Sequence, residues 1–380
     1  MPESLTLTGE PLGFAVRLGG AEPVSSFSVD IYDHGLHVHP QRHWGYWIFE
    51  AGLAAGEAAE MEIALDVGGD SSRCPVRITR GGTEMEPSSC WHNPDFVVSP
   101  ILDVMLVAAR GGEEVERVNV PVYVQDPALL KMYYSAEEHQ GVYGENAFDI
   151  FLEQFHAARV RVLASVFRRW FRELERVVDV GSGTSMFRHI SEDWPYEITC
   201  CDLDEPALRT IRENSPHFKC VESDAVDLPF GEGEFDGLYA GEIVEHVIDP
   251  RAAVREWIRV VRPGGVIVVT TPNAARLLNR VNREREVVNP EHINELSYRE
   301  IWKLLEGEGL RVVECRGIYL EFLFNYFRRG KKVDLLPRRF GHPRCRPLYR
   351  LAMGLGNLAR PFAFDLVFVT RKKGASHEGA

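Results

Sequence analysis

The chain has 380 residues, 45% of them hydrophobic and 26% charged, a globular composition that excludes a disordered or fibrous protein. Forty-three Lys and Arg against 56 Asp and Glu leave a formal net charge of −13, which argues against a protein that coats nucleic-acid phosphates. Met1–Thr6 offers neither a basic n-region nor an apolar h-region, and no apolar run reaches the length of a spanning helix, so neither a leader nor a membrane span is expected. Cys74, Cys90, Cys200, Cys201, Cys220, Cys315 and Cys345 are odd in number, irregular in spacing and without a CxxC pair. That usage predicts a reducing, cytoplasmic setting rather than a disulfide framework or a structural zinc site.

Residues 1–126 alternate apolar and polar in stretches such as Phe27–Tyr32, Met61–Val67 and Val118–Val124. Glycine turns separate them, at Gly19-Gly20, Gly68-Gly69, Gly81-Gly82 and Gly111-Gly112. Short strands with regular turns predict an all-β, sandwich-like accessory domain. Tyr32, Trp44, Tyr46, Trp47, Phe49 and Trp91 are flat side chains suited to sugar rings, although alternate members of Tyr46–Phe49 are expected to fill the core. His34, His37, His39 and His43 crowd into ten residues, but no third ligand of fixed geometry accompanies them, and no metal site is predicted.

A second domain is expected over 127–374, followed by a tail at 375–380. Residues 145–174 carry apolar positions at helical spacing, among them Phe148, Phe151, Leu152, Phe155, Val162, Leu163, Val166 and Trp170. Strand-like runs then alternate with helical stretches, at 176–180, 196–201, 235–240, 265–271, 310–315 and 364–370. This alternation predicts a doubly wound α/β domain, a mostly parallel sheet with helices on both faces.

The most informative stretch is Arg176–Val180 followed by Gly181-Ser182-Gly183-Thr184-Ser185, a buried strand entering a glycine turn before a helix. Such a turn lets a ligand approach the backbone closely. Ile198–Asp202 is a second apolar run ending in an acid, suited to ribose hydroxyls. Helix capping is the structural alternative for that acid, and Asp204 fits the cap better. Ser223-Asp224-Ala225, Glu234–Ala240, Glu245-His246-Val247 and Arg259–Gly265 follow in order.

Together these motifs resemble the class I S-adenosylmethionine-dependent methyltransferases, most closely the branch of ubiquinone, menaquinone and sugar methyltransferases. The resemblance covers about residues 140–320 and the strand near 364–370. It implies a Rossmann-like mixed sheet with an antiparallel last strand and S-adenosylmethionine as cofactor. Asp179, Gly181, Ser182 and Gly183 would line its methionine and ribose side. Asp202 and Leu203 would hold the ribose, and Asp224 and Ala225 would border the adenine. Ala240, Glu242, Glu245 and His246 would flank the meeting point of cofactor and acceptor. One departure is Ser185, where the family often has a third glycine. A dinucleotide cofactor is disfavoured, because Met186 stands where the GxGxxG turn needs glycine.

Methyl transfer to a hydroxyl is helped by a base, for which His246, His292 and Glu242 are the candidates. His292 lies in a loop before a helix resembling 297–306, and Ser297 with Glu300 forms a capping-box pattern there. An insertion at 322–360 carries ten Arg and Lys against Asp334 alone, interleaved with apolar residues. It suits a peripheral contact with an anionic membrane face or a lipid-linked diphosphate acceptor, or else a solvated lid pairing with the acidic remainder. The expected activity is O-methylation of a sugar or glycan acceptor. Methylation of a quinone or other small aromatic is the alternative, and a non-catalytic scaffold binding S-adenosylmethionine or a glycan is the alternative of another class.

Overall fold

The computed structural model describes residues 5–7, 12–17, 26–33, 45–51, 58–65, 76–92, 101–110, 113–124, 130, 150–190, 194–283, 292–321 and 346–373. Two compact units divide the chain, Met1–Gly141 and Val142–Ala380. Residues 127–141, assigned to the second domain on sequence texture, fall within the first unit.

The described residues of the first unit with regular structure are strands, apart from Leu130. They are β1 (Leu5–Leu7), β2 (Leu12–Arg17), β3 (Ser26–Asp33), β4 (Gly45–Ala51), β5 (Ala58–Leu65), β6 (Val76–Arg80), β7 (Thr83–Met85), β8 (Ser89–His92), β9 (Ile101–Arg110) and β10 (Glu113–Val124). One sheet runs β1-β10-β9-β3-β4-β8 and a second runs β2-β5-β6-β7. Each sheet buries alternate residues: Phe27, Val29, Ile31, Trp47 and Phe49 in the first, Met61, Ile63, Val76 and Ile78 in the second. The period of two seen in the sequence is the pleat placing those side chains on one face.

The second unit contains helix α1 (Ile150–Trp170), strand β11 (Arg176–Val180), the single turn α2 (Met186–His189), β12 (Glu197–Asp202), α3 (Glu205–Asn214), β13 (Lys219–Glu222), β14 (Phe235–Gly241), α4 (Pro250–Val260) and β15 (Val261–Pro272). After these come α5 (Leu277–Asn282), α6 (Tyr298–Gly307), β16 (Leu310–Ile318), α7 (Arg346–Leu358), a 3-10 turn at Arg360–Phe362 and β17 (Asp365–Lys372). The sheet order is β13-β12-β11-β14-β15-β17-β16. Pairing is parallel from β13 through β15, while β17 runs antiparallel to both β15 and β16, the mixed sheet that the resemblance implies.

Val177–Val180 is buried along its whole length because helices cover both faces of this central strand. One layer packs α1, α3 and α7 through residues such as Phe167, Leu208 and Met353, and the opposite layer packs α4 and α6 through Trp257, Ile301 and Leu305. Helix starts follow local rules. Asp204 caps α3 by accepting from Ala207 N, as the sequence suggests, and Ser297 with Glu300 closes the capping box of α6. Strand β13 is absent from the sequence-derived runs, since it lies at the sheet edge with Lys219 and Glu222 exposed and Cys220 and Val221 only half-buried.

Candidate functional site

Sheet order reverses between β11 and β14, and the crevice beyond the carboxyl ends of those strands is where doubly wound sheets take ligands. Gly181 and Gly183, in the turn after β11, have φ of +62° and +49°. A Cβ on Gly181 would stand 2.8 Å from the Ile243 side chain, so the turn after β11 and the loop after β14 are pressed together. A Cβ on Gly183 would meet nothing within 4 Å among the described residues, which leaves open space over the turn.

Asp202, at the end of β12, is bonded to that turn. Its Oδ2 accepts from Gly183 N at 2.6 Å and its Oδ1 from Asp204 N at 2.9 Å. Ser182 is buried, with its backbone N donating to Cys201 O at 3.0 Å, and Leu203 is half-buried beside Asp202. Asp179 is 1% exposed, and burial, reinforced by Asp202, pushes its pKa well above the carboxylate range against the opposing bond from Ser185. That bond runs from Ser185 Oγ to Asp179 Oδ2 at 2.7 Å. Ser185 itself has φ of +63°, the left-handed value a glycine takes readily. The departure noted in the sequence is thus a strained serine held by its hydroxyl bond to Asp179.

Further along the same edge, Asp224 Oδ1 accepts from Val226 N at 3.1 Å, and burial raises the pKa of Asp224. Ala225 is buried and its carbonyl accepts from Trp257 Nε1 at 3.0 Å. Ala240 is fully buried in β14. All the positions assigned to the cofactor therefore lie at the carboxyl edge of β11 to β14.

The loop after β14 carries the chemistry-bearing groups. Glu242 has φ of +56°, and its Oε1 accepts from Thr270 Oγ1 at 2.7 Å and lies 3.3 Å from Arg159 Nη2. Arg159 Nε is 3.6 Å from Asp365 Oδ2. Burial lowers the Arg159 pKa, but Glu242 and Asp365 outweigh it and the net shift is upward. Burial, with Glu242 adding, drives the Asp365 pKa well up against the Arg159 guanidinium. The carboxylate of Glu242 is thus tied to α1, whereas the sequence offered it as a base.

Glu245 is fully buried, accepts from Thr271 Oγ1 at 3.1 Å, and has its pKa pushed well up by burial and by Glu242. His246 and His292 meet edge to face, ring centroids 4.7 Å apart. Polar atoms of Glu245, His246 and His292 lie within 4.8 Å of one another. These are ligand types that suit a divalent cation, although Glu245 would have to release the proton its burial favours.

Beyond His292 runs a chain of buried ionic side chains. His292 Nδ1 is 2.7 Å from Glu295 Oε1, Glu295 Oε2 is 3.2 Å from Arg276 Nη1, and Arg276 Nε is 3.5 Å from Glu321 Oε1. Glu321 Oε2 accepts from Leu278 N at 2.9 Å at the start of α5, and burial raises the Glu321 pKa. Sequence reasoning found His246 and His292 but missed Glu295, Arg276, Glu321, Arg159 and Asp365. Arg159 did leave a signal: it is a charge within the apolar stripe of α1, four residues after Phe155.

The histidine cluster at 34–43, Trp44, the tail at 375–380 and the part of the basic insertion at 322–345 lie outside the described residues.

Residues 178–269 match the protein family described as "Methyltransferase domain". A probable S-adenosylmethionine-dependent methyltransferase of Mycolicibacterium smegmatis is 29% identical over 143 residues, 38% of this chain and 54% of that protein. A demethylmenaquinone methyltransferase of Paenarthrobacter aurescens is 28% identical over 111 residues, 27% of this chain and 44% of that protein. An O-methyltransferase of Penicillium expansum is 31% identical over 160 residues, 38% of this chain and 55% of that protein. The chain spans about half the length of the curated relatives it matches.

Proposed function

We propose that this chain, which carries a class I S-adenosylmethionine-dependent methyltransferase domain, methylates a hydroxyl of a sugar or glycan acceptor. The observation that carries the reading is the His292–Glu295 pair beside His246, one loop away from the open turn at Gly183. An alcohol is a poor nucleophile until its proton has somewhere to go, so a held imidazole is the group this transfer needs.

When bound, S-adenosylmethionine supplies a methyl on a sulfonium leaving group, which reduces catalysis chiefly to alignment and deprotonation of the acceptor. The residues fit it. Asp202, its carboxylate set by Gly183 N and Asp204 N, would accept from ribose hydroxyls. Gly183 leaves open space over the turn for the ligand, and Gly181 lets the loop carrying Ile243 close against it. Asp224 and Ala225 border the base. Glu295 faces the Arg276 guanidinium and therefore acts as a carboxylate acceptor, which puts the proton of His292 on Nδ1 and leaves Nε2 as the base. His292 Nε2 would take the acceptor O–H proton and pass it to solvent, while the bound sulfonium would supply the methyl group. Glu242 positions the loop through Arg159 rather than taking the proton.

A lipid-linked acceptor is supported by the basic insertion at 322–360 and by the outer face of α7, where Leu351 is 57% and Leu358 82% exposed. That combination suits peripheral contact with an anionic membrane face. Among the described residues no helix is long and apolar enough to cross a membrane. The two sheets of the first unit, each with one buried face, support the sandwich reading. Relatives named as demethylmenaquinone methyltransferases favour the second reading, a quinone or other small aromatic acceptor.

His292→Ala and His246→Ala test the mechanism. Both should keep cofactor binding by calorimetry, while His292→Ala loses turnover severely. Normal turnover in His292→Ala would refute the base.

A further inference from the structure

We propose that the outward face of the six-stranded sheet in the first unit is a binding site for a neutral glycan chain, built on Tyr32, Tyr46 and Trp91. Tyr32 on β3 pairs directly with Tyr46 on β4, and Tyr46 pairs directly with Trp91 on β8. Asp103 on β9 stands opposite Tyr32 on its other side. Residues directly opposite one another share a face, so Asp103, Tyr32, Tyr46 and Trp91 form one row across four strands. This face is opposite to the one that buries Phe27, Val29, Ile31, Trp47 and Phe49.

The row has the chemistry of a sugar platform. Trp91 is 44% exposed, and the Tyr32 and Tyr46 rings neighbour each other with centroids 6.1 Å apart, tilted by 31°. A pyranose presents a C–H face that packs on such rings and a rim of hydroxyls that needs hydrogen-bond partners. Acceptors stand beside the row. Asp30, two residues before Tyr32 on the same face, has a buried Oδ1 with no hydrogen-bond partner among the described residues. Asp103 Oδ1 accepts from Asn119 Nδ2 at 3.4 Å, which leaves a mixed donor and acceptor edge. Charge selects the occupant. Residues 1–128 hold 7 basic and 19 acidic side chains, so phosphorylated or sulfated polymers and anionic lipid are repelled while uncharged hydroxyls are not.

The inference deepens the sugar-acceptor reading and rests on it for its biological sense, since the platform would hold the polymer whose hydroxyl is methylated. Its test does not depend on methyl transfer. The full chain is run in native gels containing mannan, dextran or galactan, with heparin as the anionic control. Retardation by at least one neutral polysaccharide is expected, and any retardation by heparin should be the same in wild type and Trp91→Ala. Trp91→Ala and Tyr46→Ala should each raise the half-retarding concentration about tenfold. Trp91→Phe, which keeps a ring, should retain most of the retardation, and Asp30→Asn supplies a second probe should an aromatic variant fail to fold. No retardation by any of the three polymers, or equal retardation of wild type and Trp91→Ala, overturns the proposal. Heparin retardation that Trp91→Ala abolishes overturns it too, whereas heparin held by the basic insertion at 322–360 is indifferent to that variant. Label appearing in a glycan without platform binding would remove this inference alone. Platform binding with label in a quinone would remove the acceptor reading alone.

Discussion

His292 Nδ1 stands 2.7 Å from Glu295 Oε1, and the two side chains are only 8% and 2% exposed. A buried carboxylate on one nitrogen fixes the ring's orientation and leaves the other nitrogen to work. Glu295→Gln should therefore lower kcat for methyl transfer by about tenfold to a hundredfold, with cofactor affinity unchanged, because it touches the positioning of the base and not the cofactor. Steady-state kinetics with calorimetry of S-adenosylmethionine binding checks this. A variant with full kcat would make the pair structural.

Asp202 accepts two backbone N–H bonds that fix its carboxylate at the Gly183 turn. Asp202→Ala should weaken S-adenosylmethionine binding by about tenfold to a hundredfold, the value of hydrogen bonds to a charged acceptor. Isothermal calorimetry measures it directly.

Ser185 combines a left-handed backbone with a hydroxyl bond to buried Asp179. Ser185→Ala loses the bond and keeps the strain, which should cost about 1–3 kcal/mol. Ser185→Gly loses the bond but relieves strain of about 1–3 kcal/mol, so it should be nearly neutral. Denaturant unfolding of the two variants should place alanine clearly below glycine.

Much of this was legible in the sequence. The turn after β11, the acid ending β12 and the caps at Asp204 and Ser297 are local, and local spacing is what a chain displays openly. The buried ionic chain was not. Glu295 and Arg276 are 19 residues apart in sequence, and Glu321 and Arg276 meet only when β16 returns beside α5. The aromatic row was half legible: the rings were visible, but that Tyr46 and Trp91 share a face depends on the pairing of strands 45 residues apart.

Glu245 is buried and its pKa is raised by burial, so the folded state holds a proton that the unfolded state releases. Its contribution is therefore most favourable at low pH and is lost as pH rises from the ordinary carboxylate range through the raised folded value. Glu245→Gln, which cannot ionise, should gain stability relative to wild type as pH increases from about 5 to about 8. Melting temperatures across that range give the answer, and a difference that shrinks with pH would contradict it.

Arg159 faces Glu242 and Asp365 from α1. Arg159→Met leaves buried Asp365 and half-buried Glu242 without their cation and should destabilise the fold by about 3–5 kcal/mol. Adding Asp365→Asn should recover part of that loss in a double-mutant cycle.

The central claim, methyl transfer to a sugar hydroxyl, is tested most directly by following the methyl group. The full chain is incubated with methyl-labelled S-adenosylmethionine and separated cell fractions, and the labelled fraction is hydrolysed to monomers. Label in an O-methyl sugar, lost with His292→Ala, is the result predicted here. Label in a quinone or other aromatic, or in no fraction at all, would contradict it.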